Sequence, residues 1–330
     1  MINNNKQNRL FRLFDFNRGN RPDALEEDTT PTLKRYFKLL GRKFWKLVSL
    51  NLLMLPMILP LLLAAYFYLS MDMTPTAGTP LFSALYGANL IDPTTSSVSL
   101  LDVFGTQIQV PVYMQTTTYV LIGVAIAFLL ITFGWQNVGA TYILRSMVRG
   151  EPVFLFSDYF YAIKRNFKQG FLLGLLDCLA IFLLLFDFMY FSSMGGSFWL
   201  DVGYFAIVAL VILYFFMRFY IYLMLVTFEL PIRKILKNAL IFTILGFKRN
   251  IMALLGMVLV TAINIALFAV FAMTPLSFAI PLILPFFYYL SVNAFTAAYA
   301  AYPIIDRYMI EPYRGAEDEE EFADGTEETE

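Results

Sequence analysis

The chain has 330 residues and a formal net charge of −1; 59% of it is hydrophobic, 17% aromatic and only 15% charged, against about 45–50% apolar and about 25% charged in soluble domains. With a mean hydropathy of +0.64, this composition excludes an ordinary soluble globule. There is no histidine and one cysteine, Cys178, so a His base, a His metal ligand, a Cys/His dyad, a zinc cluster and an internal disulfide are all excluded.

Residues 1–29 form a polar N-terminal segment with no basic-then-apolar start at Met1, so no cleavable signal peptide is expected. Residues 30–307 carry the membrane domain. A bilayer-spanning helix needs about 20 mostly apolar residues, and six stretches qualify: about Leu47 to Leu69, Tyr119 to Leu144, Phe171 to Tyr190, Tyr204 to Phe228, Ile251 to Phe271 and Leu276 to Tyr302. They are continuous Leu/Ile/Phe/Ala runs rather than the alternating segments of a barrel, so the fold class is an all-α polytopic membrane protein. Pro56, Pro60, Pro281 and Pro285 fall within the first and sixth spans and predict kinks there. The connection over residues 70–118 is rich in Thr, Ser, Pro and Gly and reads as a loop capping the membrane face.

Three further segments have helical amphipathicity. In the first, Leu33, Phe37, Leu40 and Phe44 make the apolar stripe, with Lys34, Arg35, Lys38, Arg42 and Lys43 off it. In the second, Phe156, Phe160, Ile163 and Phe167 repeat the spacing beside Lys164, Arg165 and Lys168. In the third, Ile232, Ile235, Leu236, Ala239 and Leu240 lie opposite Arg233, Lys234 and Lys237, and Lys248 and Arg249 close the segment. Such helices lie in the headgroup plane with their basic side chains toward anionic lipid. A proline opens each one (Pro31, Pro152, Pro231). Together they suggest a threefold unit of interfacial helix, basic elbow and membrane hairpin; basic amphipathic connections would also arise without any repeat.

All but one of the 24 basic residues lie before the first span, in the second and fourth connections, or after the sixth span. Basic residues near spans stay cytoplasmic, which places both termini inside. Residues 308–330 form the C-terminal tail; its end, 316–330, holds nine acidic residues and no basic one and reads as disordered.

The exception is Arg218, inside the fourth span, where a charge calls for a partner. Asp177 and Asp187 lie in the third span. At 1.5 Å per residue, Asp177 falls roughly 10 Å and Arg218 roughly 15 Å above the inner edge, with Asp187 at roughly 25 Å, so an Asp177–Arg218 interhelical pair is expected. It would be either part of a polar translocation path or a structural ion pair. Gln136, Asn137 and Thr141 form a polar patch on the second span, with Gly134 and Gly139 permitting close helix approach. Asn51 and Asn264 could add polar partners. Cys178 reads as inert. No phosphate-binding glycine motif and no paired catalytic carboxylates are evident, and no metal or cofactor is implied.

The run from Gly139 to Glu151 (Gly-Ala-Thr-Tyr-Ile-Leu-Arg-Ser-Met-Val-Arg-Gly-Glu), then Phe156-Ser-Asp-Tyr-Phe160 and Lys164-Arg-Asn-Phe-Lys-Gln169, resembles the YesL-like family of bacterial membrane proteins. Leu236-Lys-Asn-Ala-Leu240 and the apolar layout of residues 30–307 add to the resemblance, although Val138-Gly139 stands where the family has Gly-Pro. The resemblance implies a domain of unknown function with no catalytic residues to carry over, a bacterial cell membrane, and an accessory role in carbohydrate import. The expected function is therefore non-enzymatic: an accessory to a transport system, with anionic lipid and a permease as partners and no nucleic acid. The alternative is a transporter or channel whose path passes Asp177, Arg218 and Gln136.

Overall fold

The computed structural model describes residues 30–69, 116–194, 197–272, 281 and 283–313. The N-terminal segment, most of the expected outer loop and the acidic tail lie outside the described residues. The described residues of Met1–Met57 and Leu130–Glu330 make one compact unit, and those of Ile58–Leu129 a second.

Among the described residues the regular structure is helical throughout. In chain order the helices are α1 (Leu33–Leu69), α2 (Thr116–Arg149), α3 (Leu155–Arg165), α4 (Phe167–Ser193), α5 (Phe198–Thr227), α6 (Ile232–Leu245), α7 (Phe247–Ala272) and α8 (Pro285–Ile305), which ends in a wider π turn over Asp306–Ile310. Four helices are long and apolar enough to cross a bilayer: Tyr119–Arg149, Phe167–Ser193, Phe198–Thr227 and Phe247–Phe271. The first and sixth expected spans fall on α1 and α8, and part of the sixth lies outside the described residues.

The joints follow from local sequence. α2 ends at Gly150, whose φ of +82° lies in the left-handed region that glycine adopts freely. There Glu151 N–H reaches Ser146 O at 2.9 Å and Gly150 N–H reaches Met147 O at 3.3 Å, the double bond of a Schellman terminus. Arg149 Nε then pairs with Glu151 at 3.0 Å. Two single-residue joints follow a common pattern. Asn166 links α3 to α4, its own N–H and its side-chain amide both donating to Ala162 O at 3.1 Å. Gly246 links α6 to α7 in the same manner, its N–H donating to Phe242 O at 2.8 Å. An amphipathic helix, a one-residue joint and a long apolar helix thus occur twice. The first segment differs from expectation: α1 runs unbroken from Leu33 to Leu69, with no joint at Arg42-Lys43, because nothing there interrupts the backbone ladder. Pro285 also departs from expectation, opening α8 at its first turn rather than bending a helix.

The core sits at the basic ends of the helices. Leu47 and Leu50 of α1, Ile143 and Met147 of α2, Leu223 of α5, Ile235 of α6 and Phe295 of α8 are fully buried there. Toward the other end, Phe182, Phe186 and Met189 of α4 and Phe198 and Phe205 of α5 are exposed. In a helix crossing a bilayer such positions face lipid tails and need no protein cover.

Candidate functional site

Asp177 lies on α4 and is 2% exposed. A carboxylate at that depth needs compensation on both oxygens. One stripe of α5 supplies it, with Tyr214, Arg218 and Tyr222 at i, i+4 and i+8 and therefore on one face. Tyr214 donates its hydroxyl proton to Oδ1 at 2.8 Å, and Tyr222 donates to Oδ2 at 2.8 Å. Arg218 Nε straddles the pair, 3.0 Å from Oδ1 and 3.1 Å from Oδ2. The guanidinium also lies over the Phe133 ring of α2, 5.6 Å from its centroid. The Asp177–Arg218 contact expected from depth is present. The two tyrosines were not singled out in the sequence, although the four-residue spacing around Arg218 carries the signal.

The side chain of Arg218 is 31% exposed while that of Asp177 is 1% exposed. The reason is a cavity of about 640 Å³ bounded by α2, α5, α7 and α8. Its polar lining comprises Asn137, Thr141, Arg218, Tyr222, Thr261, Tyr289 and Asn293. Thr261 and Tyr289 satisfy each other at 2.8 Å, and Tyr222 is committed to Asp177. Asn293 Oδ1, by contrast, is buried with no hydrogen-bond partner among the described residues. Both Nη groups of Arg218 are likewise without a hydrogen bond among the described residues. Most of the remaining wall is apolar, including Leu254, Met257 and Leu290.

The other polar positions divide. Asn137 and Thr141 line the cavity, and Asn137 also donates to Phe133 O at 2.8 Å. Gln136, one position away, points elsewhere and keeps a buried, unpaired Oε1. Asn51 is fully buried and committed to structure: its Nδ2 donates to Phe286 O at 2.6 Å and its Oδ1 accepts from Ser291 N–H at 2.8 Å. It therefore ties α1 to the first turns of α8. Asn264 is held between Val260 O and the Tyr288 hydroxyl. Asp187 is half-buried on α4 and joins neither the cavity nor the Asp177 cluster. Cys178, beside Asp177, is half-buried and forms no disulfide.

Gly134 and Gly139 both mark close approaches. A Cβ on Gly134 would stand 2.8 Å from Gly174 Cα of α4 and would also overlap Gly170. One on Gly139 would stand 2.6 Å from the Tyr159 ring of α3. Trp135 locks the same crossing, stacking on Phe167 at 4.5 Å and donating to Phe167 O at 2.9 Å. A second buried cluster, which no spacing in the sequence marks, anchors the α6–α7 joint. There Tyr220 donates to Asn250 Oδ1 at 2.8 Å, and Asn250 Nδ2 donates to Thr243 O at 3.1 Å.

The basic positions also sort by environment. Lys34, Lys38, Lys164, Arg165, Lys168, Arg233, Lys234, Lys237 and Lys248 are exposed, and Arg165 pairs with Glu229 at 2.9 Å. Lys43 departs from the expected headgroup contacts, being 1% exposed. Arg35 donates to Val148 O at 3.4 Å, Arg249 to Ala300 O at 3.2 Å, and Arg42 is half-buried. Arg35 thereby meets a carbonyl in the last turn of α2, where positive charge is favoured. The stripes sort as well. Phe156, Phe160 and Phe167 are exposed as a lipid-facing stripe should be. Ile235 and Ala239 of the third stripe are fully buried in the core instead, because α6 uses that face to close the bundle.

Four apolar helices long enough to span make this a multi-pass membrane protein. Residues 113–188, from α2 through most of α4, match a protein family described as "Protein of unknown function, DUF624". No curated protein and no solved structure matches the chain.

Proposed function

We propose that the chain is a non-enzymatic carrier in a bacterial plasma membrane, with six spans and both termini on the cytoplasmic side, and that it takes its ligand in the cavity beside Arg218. One observation supports this reading over a purely structural role for the Asp177–Arg218 pair. A pair that served only to hold α4 to α5 needs no opening beside it, whereas Arg218 keeps 31% of its side chain exposed and lines about 640 Å³ of space. That volume falls in the range of small-ligand pockets, about 300–1,000 Å³. The exposed cations on α3 and α6 then serve as contacts to anionic headgroups at the cytoplasmic face.

The test is solvent access to the cavity. In a Cys178→Ala background, Ala294→Cys is treated with a membrane-impermeant thiol reagent from each side of sealed vesicles. Reaction from one side is the expected result. Protection from both sides overturns the carrier reading and leaves the accessory one, in which a permease should co-purify with the protein in mild detergent.

A further inference from the structure

The geometry points to the chemical class of that ligand: we propose that the Arg218 cavity takes a single-chain amphiphile with an anionic headgroup, admitted from the bilayer between α5 and α7. This rests on the carrier reading and narrows it to one kind of cargo.

The headgroup follows from the donor count. Arg218 spends Nε on Asp177, its Nη groups make no hydrogen bond among the described residues, and the residue lines the cavity. Tyr222 is already committed to Asp177, and Thr261 to Tyr289. Two terminal amino groups carry four N–H donors in a fixed fork, and the same lining holds Asn293, whose buried Oδ1 has no hydrogen-bond partner among the described residues. At membrane depth such donors are costly unless met. A carboxylate or phosphate offers acceptors alone and fits the fork in a bidentate manner. A polyol would bring donors as well as acceptors.

The tail follows from the walls. The cavity extends along α7 from Leu254 to Ile265, eleven residues or about 16 Å at the helical rise. Its lining passes into the outer surface of the bundle at Phe215, Val258 and Ile265, the last two 53% and 65% exposed. All three lie within span helices, so the cavity opens toward acyl chains at these residues. A headgroup held at Arg218 can therefore keep its chain along α7 and in the lipid.

The probe is stearic acid carrying a nitroxide at the end of its chain, added to the full-length protein in phosphatidylcholine nanodiscs and followed by electron spin resonance. The expected result is a motionally restricted component that oleate and lysophosphatidic acid displace and inorganic phosphate does not. Arg218→Gln should weaken binding about tenfold or more, the effect of losing a hydrogen bond to a charged group. Ala297→Phe fills the cavity from α8, leaves every residue of the Asp177 cluster unsubstituted and should abolish the component, so the test holds even if Arg218→Gln fails to fold. A restricted component that persists in Ala297→Phe overturns the proposal. Displacement by inorganic phosphate as readily as by oleate overturns the amphiphile and leaves a carrier of soluble anions. Absence of any bound probe in a chain whose Ala294→Cys variant still reacts with the aqueous reagent likewise refutes the amphiphile alone.

Discussion

The hydroxyl of Tyr222 donates a 2.8 Å hydrogen bond to Asp177 Oδ2, one turn of α5 beyond Arg218. With Tyr214 doing the same at Oδ1, the carboxylate is satisfied on both oxygens, and Arg218 needs to give it only one nitrogen. The arrangement explains how a buried acid can hold an arginine in place and still leave most of the guanidinium free.

The tyrosines therefore carry measurable stability. Tyr222→Phe and Tyr214→Phe should each cost about 1.5–3 kcal/mol, the worth of a hydrogen bond to a charged group. Asp177→Asn alone should cost about 3–5 kcal/mol by leaving the Arg218 charge unpaired. Exchanging the charges (Asp177→Arg with Arg218→Asp) should restore only part of the stability, because the two hydroxyls lose the carboxylate they now donate to and can at best turn to accept from a guanidinium. The neutral pair Asp177→Asn with Arg218→Gln should recover more than the exchanged pair. Thermal unfolding of the purified protein in detergent reads all of these.

The crossing of α2 and α4 depends on paired glycines. Gly134→Ala would set a methyl 2.8 Å from Gly174 Cα and into the Gly170 backbone, which has no flexible end to give way. Overpacking of this kind costs about 1–3 kcal/mol. Loss of thermal stability should accompany weaker order at the joint, read as faster hydrogen exchange at the start of α4. Gly123→Ala, where nothing lies within 4 Å of the added Cβ, should leave both readings unchanged.

Asn250 bridges α5 to the α6–α7 joint through fully buried groups. Asn250→Leu keeps the volume but strands the Tyr220 hydroxyl and the Thr243 carbonyl, at about 1–3 kcal/mol for each unsatisfied group. Adding Tyr220→Phe removes one of those groups and should return part of the loss. A double variant no more stable than Asn250→Leu would show that the hydroxyl finds another partner.

Tyr159 lies on α3, outside the spanning segments, with its ring buried against Gly139. Burial pushes its phenol up to about 12, against about 10 when unfolded. The folded state thus binds the proton more tightly than the unfolded one. Its contribution is complete below about pH 10 and is lost as pH rises toward about 12, for a total of about 2–3 kcal/mol. Wild-type thermal stability should fall across that window more steeply than that of Tyr159→Phe. Parallel curves would place the phenol in solvent.

Depth along a helix was legible from the chain because rise per residue is constant: the positions of Asp177 and Arg218 alone brought them to within one arginine's reach. The tyrosines flanking Arg218 were visible in the same stripe but lay among 20 tyrosines, and nothing in one dimension marks which of those face a neighbour. Lys43 shows the limit from the other side. Its place among basic neighbours suggests a headgroup contact, but it is 1% exposed, and which face of α1 is covered depends on the helices packed against it. The unbroken α1 has the same lesson, since a basic pair stops a helix only where the backbone has a reason to turn.

Composition and periodicity alone give an all-helical membrane protein whose charge is sorted to helix ends, and without histidine and with one cysteine they exclude a His base, a Cys/His dyad and an internal disulfide. These are properties of solvent transfer and helical geometry, and each residue states them locally. Only the tertiary structure decided that Asp177 is satisfied three times over, that Asn51 and Asn264 are spent on packing, and that Arg218 turns unused donors into a cavity. Those outcomes depend on which helices are neighbours and how closely they approach, and the approach is set by glycine contacts between segments far apart in the chain.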